Sequence, residues 1–140
     1  CMKYGLFIAL LNLLFLAANA QPTAKIPKKL CGMYTGSQPA YAIESSDQVS
    51  SVLPASMIIV LTRTSVSVCY QSSKLCPVVD GEVKTIRKEG KGKSKRWKIQ
   101  VFSPNSLFTE DLVFYTKNKE LTRIGVFPQP NTVLKKSRKK

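Results

Sequence analysis

Histidine is absent from the 140 residues of this chain. Because histidine is the commonest general base near neutral pH and a common zinc ligand, its absence excludes Ser–His and Cys–His catalysis and most zinc sites. Acidic residues are also scarce, with 8 Asp and Glu against 22 Lys and Arg and a net charge of +14. Few groups therefore remain for acid–base chemistry. The sequence predicts a protein that is not an enzyme.

The few carboxylates show no catalytic spacing. Asp80 and Glu82 flank a predicted turn, and Glu110 and Asp111 are adjacent, which is typical of surface charge rather than of a carboxylate pair across a cleft. Gly92-Lys93-Ser94 matches the end of a phosphate-binding loop, but its flanks are predicted strands, and such a loop joins a strand to a helix. We predict no catalytic residue and no cofactor.

Residues 2–20 have the three parts of a cleavable signal peptide. Lys3 supplies the positive start, an apolar run follows, and Ala18-Asn19-Ala20 presents the small residues at a cleavage site. The apolar run is shorter than the ~20 residues of a membrane-spanning helix. We therefore expect a secreted or periplasmic protein whose mature chain begins at Gln21 and has no transmembrane anchor.

The cysteines predict a disulfide rather than a metal site. Cys69 and Cys76 flank a predicted turn, so they would face each other across a hairpin at a distance that a disulfide can bridge. Cys31 is then a free thiol, or it is the alternative partner of one of them. The spacing is not that of a zinc site. Cys1 precedes the apparent initiator Met2, and we interpret it as extraneous.

The chain divides into four segments. The signal peptide (1–20) is followed by a basic extended arm (21–30), which has prolines and lysines without periodicity. A single β domain (31–127) comes next, and a disordered basic tail (128–140) ends the sequence.

Short strand patterns alternate with turn signals through the domain. Residues 57–61 are apolar and β-branched, and alternation marks 66–70 and 97–101 as strands with one buried face. Asp80-Gly81 predicts a tight hairpin turn, whereas 37–56 is predicted to be mainly loop, with a short strand or helical turn within it because the segment is long for a structureless connection. About six to eight such strands predict an all-β fold, a small antiparallel meander that closes as a barrel or forms a two-sheet sandwich.

The opening Gly32-Met33-Tyr34, followed by a meander, is similar to small exported barrels of the lipocalin-like kind. We assign no family from it, because this tripeptide pattern is common. The similarity implies a ligand carrier with an apolar cavity, which residues such as Ile59, Val68 and Ile99 would line. A carrier or protein inhibitor with incidental positive charge is therefore one alternative function. A structural or assembly protein of a cell envelope is another.

Basic clusters are the most informative feature of the sequence. Cations crowd the stretch from Arg87 to Lys98, where Glu89 is the single acidic residue, and they recur in the arm and the tail. Such runs attract polyanions by charge steering and counterion release. Trp97 alternates in phase with Ile99, which predicts a core position rather than a stacking platform.

We therefore predict a non-enzymatic binding module that uses a cationic hairpin loop and tail. Its expected partner is an anionic polysaccharide, a nucleic acid, or an anionic envelope or membrane surface, and a protein partner is an additional possibility. The predicted contact residues are Arg87, Lys88, Lys91, Lys93, Lys95, Arg96, Lys98, Lys135, Lys136, Arg138, Lys139 and Lys140.

Overall fold

The computed structural model describes residues 24–71, 78–104 and 108–138. The predicted signal peptide, Cys76, Lys139 and Lys140 lie outside these residues. The described chain contains the strands β1 Gly32–Gln38, β2 Tyr41–Ser45, β3 Gln48–Val52, β4 Ala55–Leu61, β5 Ser65–Gln71, β6 Val78–Glu89, β7 Arg96–Ser103, β8 Phe108–Tyr115, β9 Glu120–Ile124 and β10 Thr132–Lys136. Short 3-10 helices form at Lys28–Leu30 and Gly92–Ser94.

Eight strands close into one antiparallel barrel, in the order β1-β10-β9-β8-β7-β6-β5-β4. Strands β2 and β3 pair with each other as a separate two-stranded hairpin. The prediction of an all-β antiparallel fold is confirmed, and of the two forms expected the barrel is the one adopted. Closure gives every barrel strand a hydrogen-bonded neighbour on each side, although β6 continues from Val83 to Glu89 past its pairing with β5.

The barrel has two ends with different connections. We call one the basic end: β1, β5, β7 and β9 begin there, and it carries the Thr62–Thr64, Gly90–Lys95 and Thr116–Lys119 connections. We call the other the hairpin end, because β2 and β3 emerge from it between β1 and β4.

The barrel interior is filled by apolar side chains from alternate positions of the strands. Ile59, Val68 and Ile99 are buried in one cluster with residues of β9 and β10, such as Leu121 and Leu134. The alternation predicted for 66–70 and 97–101 is therefore the alternation between the barrel interior and its outer wall, and the apolar run 57–61 alternates in the same way.

Asp80-Gly81 is not a turn, so that prediction was wrong. Strand β6 runs through both residues without a break. A Cβ atom at Gly81 would lie 2.3 Å from Cγ1 of Val101, so glycine is needed here because the strands pack closely inside the barrel. Asp80 faces outward and accepts a 2.6 Å hydrogen bond from Oγ of Ser67 on β5.

The prediction of a disordered tail from residue 128 was wrong for Thr132–Lys136. These residues form β10, which pairs with β9 on one side and with β1 on the other. Thr132 and Leu134 are fully buried, and their alternation with exposed Val133 is that of a barrel strand. The lysines that follow obscured this short pattern. Likewise, 37–56 was predicted to be mainly loop but contains the whole β2–β3 hairpin.

The basic arm is not simply extended, because it closes the basic end of the barrel. Ile26 and Leu30 are fully buried in the core cluster. The backbone N–H of Ile26 donates to the carbonyl of Arg63 at 2.8 Å, and the Tyr34 hydroxyl donates to the carbonyl of Leu30 at 2.8 Å. The arm is thus part of the folded barrel.

Cys31 is a free cysteine at the end of the arm, so the alternative disulfide through Cys31 does not form. Its thiol is half-buried and lies 3.6 Å from the carbonyl oxygen of Pro27. The Cys69–Cys76 disulfide stays a prediction, because Cys76 lies outside the described residues.

We predict that Leu30→Ala destabilises the protein by about 2–5 kcal/mol, because it removes a fully buried side chain and leaves a cavity beneath the arm. Urea denaturation followed by the fluorescence of Trp97, the single tryptophan, measures the effect. Met33→Ala is the control, since Met33 lies three residues away and is 44 % exposed. Equal losses in the two variants would show that the arm does not stabilise the barrel.

The stability of the barrel should fall at high pH through Tyr34. Burial, with a smaller contribution from Cys31, raises the pKa of Tyr34 to about 12. Because the folded pKa is raised, protonated Tyr34 contributes to the free energy of unfolding. This contribution is complete below the unfolded pKa of about 10 and is lost as pH rises toward about 12.

We therefore expect the free energy of unfolding of the parent to fall by about 2 kcal/mol more than that of Tyr34→Phe between about pH 9 and about pH 12. Urea unfolding measures both values. Tyr115→Phe, at an exposed position, should keep the parent's pH dependence. Parallel curves for the parent and Tyr34→Phe would refute this role of Tyr34.

Candidate functional site

The three basic segments of the sequence meet at the basic end of the barrel. Arg96, Tyr115, Glu120 and Lys135 are successive cross-strand partners on β7, β8, β9 and β10, which places the 87–98 segment and the start of the tail on one rim. The Nζ group of Lys136 donates to the carbonyl of Lys29 at 3.0 Å, which joins the tail to the arm. Folding therefore brings together charges that are far apart in the sequence.

The cations of the described chain are concentrated at one end of the barrel, although Glu89 and Glu120 also lie on that rim. Arg123 is buried inside the barrel and Lys84 lies on the barrel wall, whereas the other described cations lie around the basic end. Glu44 and Asp47 lie at the tip of the β2–β3 hairpin, at the opposite end. This separation gives the protein a strong charge asymmetry along the barrel axis.

Trp97 stands at the inner edge of the basic end. Its ring packs against the core cluster, as predicted, and its surroundings are cationic: Nζ of Lys29 lies 5.4 Å and Nζ of Lys88 lies 5.7 Å from the ring centroid. Both ammonium groups are within the range of cation–π attraction. Since Trp97 is held in these contacts, it does not present a free face for stacking with a nucleobase.

The predicted contact residues differ in how their charge is balanced. Glu89 lies 3.3 Å from both Arg96 and Lys98. The hydrogen bond from Lys98, with a smaller contribution from that of Arg96, holds the pKa of Glu89 below its usual range. These pairs are solvent-exposed, so they add little stability. The charge of the Gly90–Lys95 connection is less balanced. Its three exposed lysines form no ion pair within the described residues; they are Lys91, Lys93 and Lys95.

A groove of about 490 Å³ runs across the outer face of β6, β7 and β8, beside the basic end. Its lining alternates cations with hydrogen-bonding and apolar groups. Cross-strand pairing arranges these side chains in rows. The rows are Glu89, Arg96 and Tyr115, then Arg87, Lys98 and Val113, then Thr85, Gln100 and Asp111.

Sequence reasoning found the cations of this groove but did not place Gln100 or Asp111 among the contact residues. Alternation along β7 and β8 already indicates that these side chains face outward. Their mutual proximity depends on the strand register, which alternation does not specify. The 3.3 Å hydrogen bond from Gln100 to Asp111 is a consequence of that register.

A second polar cluster lies inside the barrel toward the hairpin end. Arg123 donates to Glu110 through Nε at 2.8 Å and Nη2 at 2.9 Å, and both of its Nη groups lie 3.3 Å from Oε1 of Gln129. Its guanidinium carbon lies 5.4 Å from the ring centroid of Tyr70. The donors of Arg123 are thus engaged by protein groups, which indicates a structural ion pair.

The pKa shifts in this cluster follow from burial and charge. Burial is the largest single effect and opposes the charged form of Arg123, but the hydrogen bonds and charge attraction of Glu110, with smaller contributions from Tyr70 and Tyr41, together raise the pKa of Arg123. Burial also raises the pKa of Tyr70, an effect that the nearby positive charge of Arg123 partly offsets. These shifts keep Arg123 charged and Tyr70 neutral.

The described residues contain no group of three or more His, Cys, Asp or Glu side chains positioned to hold a metal ion. Among the same residues, no helix has the length and apolar character needed to cross a membrane. No protein-family model matches the chain, and searches of curated proteins and of solved structures also gave no match. The function must therefore be argued from the residues themselves.

We predict that Arg123→Met destabilises the protein by about 3–5 kcal/mol, because it leaves the Glu110 carboxylate largely buried without its partner. The double variant Glu110→Leu/Arg123→Met should recover most of this loss, since replacing a buried pair by apolar groups is often neutral. Urea denaturation midpoints of the three proteins test this. A double variant as unstable as Arg123→Met would show that the cost lies in packing and not in the unpaired charge.

Proposed function

We propose that this protein is an exported, non-enzymatic binding module whose basic end engages an anionic polymer or surface. One observation carries the proposal. The arm, the 87–98 segment and β10 are separate in sequence, yet their cations lie around one end of the barrel, whereas the acidic hairpin tip lies at the other.

Charge segregation of this kind has a direct physical effect. Clustered cations add their potentials, so an approaching polyanion is attracted and oriented toward one end of the molecule. Binding then releases counterions from the polymer, which supplies affinity that falls as salt rises. The exposed lysines at positions 91, 93 and 95 are suited to this role because no neighbouring carboxylate in the described chain neutralises them.

The filled core weighs against the alternative of a small-ligand carrier. Ile59, Val68 and Ile99, which would line an apolar cavity, are packed in the core cluster. The arm residues Ile26 and Leu30 occupy the basic end of that cluster. A carrier would need an apolar cavity open to a ligand.

A protein-binding role has support from the hairpin end. Leu53, Val126 and Phe127 are 79 %, 74 % and 95 % exposed, and all three follow strands that end there. Exposed apolar residues grouped at one end of a domain are typical of an interaction surface. A protein inhibitor or an envelope assembly protein is therefore the second candidate function, and it would use the end opposite to the cationic one.

The charge hypothesis is tested by neutralising Lys91, Lys93 and Lys95 with glutamine. We expect weaker binding to heparin and to DNA, and a slope of log affinity against log salt that is shallower by about 2–3 units for duplex DNA, because each lost phosphate contact removes about 0.9. Fluorescence anisotropy over a range of salt concentrations measures both quantities.

The matched control is Gln48→Glu/Ser50→Glu/Ser51→Glu, which lowers the net charge by the same amount at exposed positions of β3 on the hairpin end. It should bind like the parent, or nearly so. Equal weakening in the two triple variants would mean that only total charge matters, and unchanged binding in the lysine variant would exclude these residues as contacts.

A further inference from the structure

We propose that the groove across β6, β7 and β8 binds an acidic polysaccharide chain, and that it prefers such a chain to a nucleic acid. The inference rests on the proposed function and specifies its ligand. It also adds Gln100, Asp111 and Tyr115 to the cations as contact residues.

The dimensions of the groove fit a short segment of a polymer. Its volume of about 490 Å³ lies within the range of ~300–1,000 Å³ for sites that take small ligands or short oligomers. The side chains of its three rows repeat every second residue along each strand, at a spacing of roughly 6.6–6.8 Å. Because it runs beside the basic end, a chain that enters the groove continues onto the lysine-rich turn.

The mixture of charges in the groove distinguishes between polyanions. Arg87, Arg96 and Lys98 provide cations that suit carboxylate or sulfate groups. Asp111 lies among them without an ion pair in the described chain, and a phosphodiester chain, which has a negative charge at every nucleotide, would meet repulsion there. A sugar chain carries hydroxyl groups between its charges, and these hydroxyls donate hydrogen bonds to carboxylates.

Neutral polar and apolar groups complete the recognition surface. Gln100 donates a 3.3 Å hydrogen bond to Oδ1 of Asp111, and both side chains line the groove and keep further donor and acceptor positions. Tyr115 is 37 % exposed, and it lies on the same face of β8 as Val113, which is buried at the groove floor. Together they offer an apolar surface with one hydroxyl, suited to the C–H face of a sugar ring.

Within the described residues, the groove and the basic end have no row of exposed aromatic rings for nucleobase recognition. Single-strand binders stack successive bases on exposed aromatic rings. Trp97 is half-buried and placed between Lys29 and Lys88. Tyr115 is the aromatic residue of the groove, and one ring beside two carboxylates does not make a track for stacked bases.

The test compares a size-defined heparin oligosaccharide with a single-stranded oligonucleotide of similar charge, by isothermal titration calorimetry at one salt concentration. For Tyr115→Ala and Gln100→Ala we expect heparin binding to weaken about tenfold and oligonucleotide binding to change less than about twofold. For Asp111→Asn we expect stronger oligonucleotide binding, because a repulsive charge is removed, and weaker heparin binding, because a neutral amide oxygen accepts weaker hydrogen bonds from sugar hydroxyls than a carboxylate does.

Thr109→Ala is the matched control, since Thr109 is exposed on the same outer face of β8 but outside the groove. It should bind both probes like the parent, and urea denaturation confirms that each variant is folded. Unchanged heparin binding in Tyr115→Ala and Gln100→Ala overturns the proposal, as does an equal loss for both probes.

The lysine variant described above separates this proposal from the proposed function. One outcome is that neutralising Lys91, Lys93 and Lys95 weakens the binding of both probes while the groove variants change the binding of neither. In that case the basic end binds polyanions and the groove assignment fails. If the parent binds neither probe, both fail. Selective loss of heparin binding in the groove variants supports both.

Discussion

Barrel closure depends on β10, which pairs with β9 on one edge and with β1 on the other. Without that strand, β1 and β9 would each present a row of unpaired backbone groups. The core depends on the same closure, because Leu134 of β10 is buried with Tyr34, Leu121 and the arm residues. The Lys136–Lys29 hydrogen bond that joins tail to arm also follows from it. The candidate binding end therefore exists only in the closed barrel.

The parts of the fold that could be predicted are those with a strong local pattern. The apolar, β-branched run at 57–61 and the alternation at 66–70 and 97–101 correctly indicated strands. Prediction failed where a local signal competed with a long-range one. Asp80-Gly81 has turn chemistry, but Gly81 is needed because a larger side chain would collide with Val101 on the neighbouring strand. β10 is short and is followed by lysines, and its pairing partners lie elsewhere in the sequence. The basic composition therefore indicated a disordered tail instead of a strand.

The candidate site was predictable in its charges and not in its shape. Clusters of lysine and arginine are visible in any reading of the sequence, whereas their convergence depends on which strand ends meet. The register also decides that Glu89 lies between Arg96 and Lys98, so the 87–98 segment is partly self-neutralised and the turn beyond it is not. Net charge alone therefore does not show that the cationic surface is uneven.

The closing contact between β1 and β10 also bears on the order in which the molecule can become folded. The Lys136–Lys29 bond spans 107 positions, so the first barrel strand must remain without one of its neighbours until nearly all the described chain has been synthesised. Contacts this distant form late, because a long loop must close before they are made. A chain that has not completed its barrel keeps strand edges open for longer, which is the state in which strands can pair wrongly.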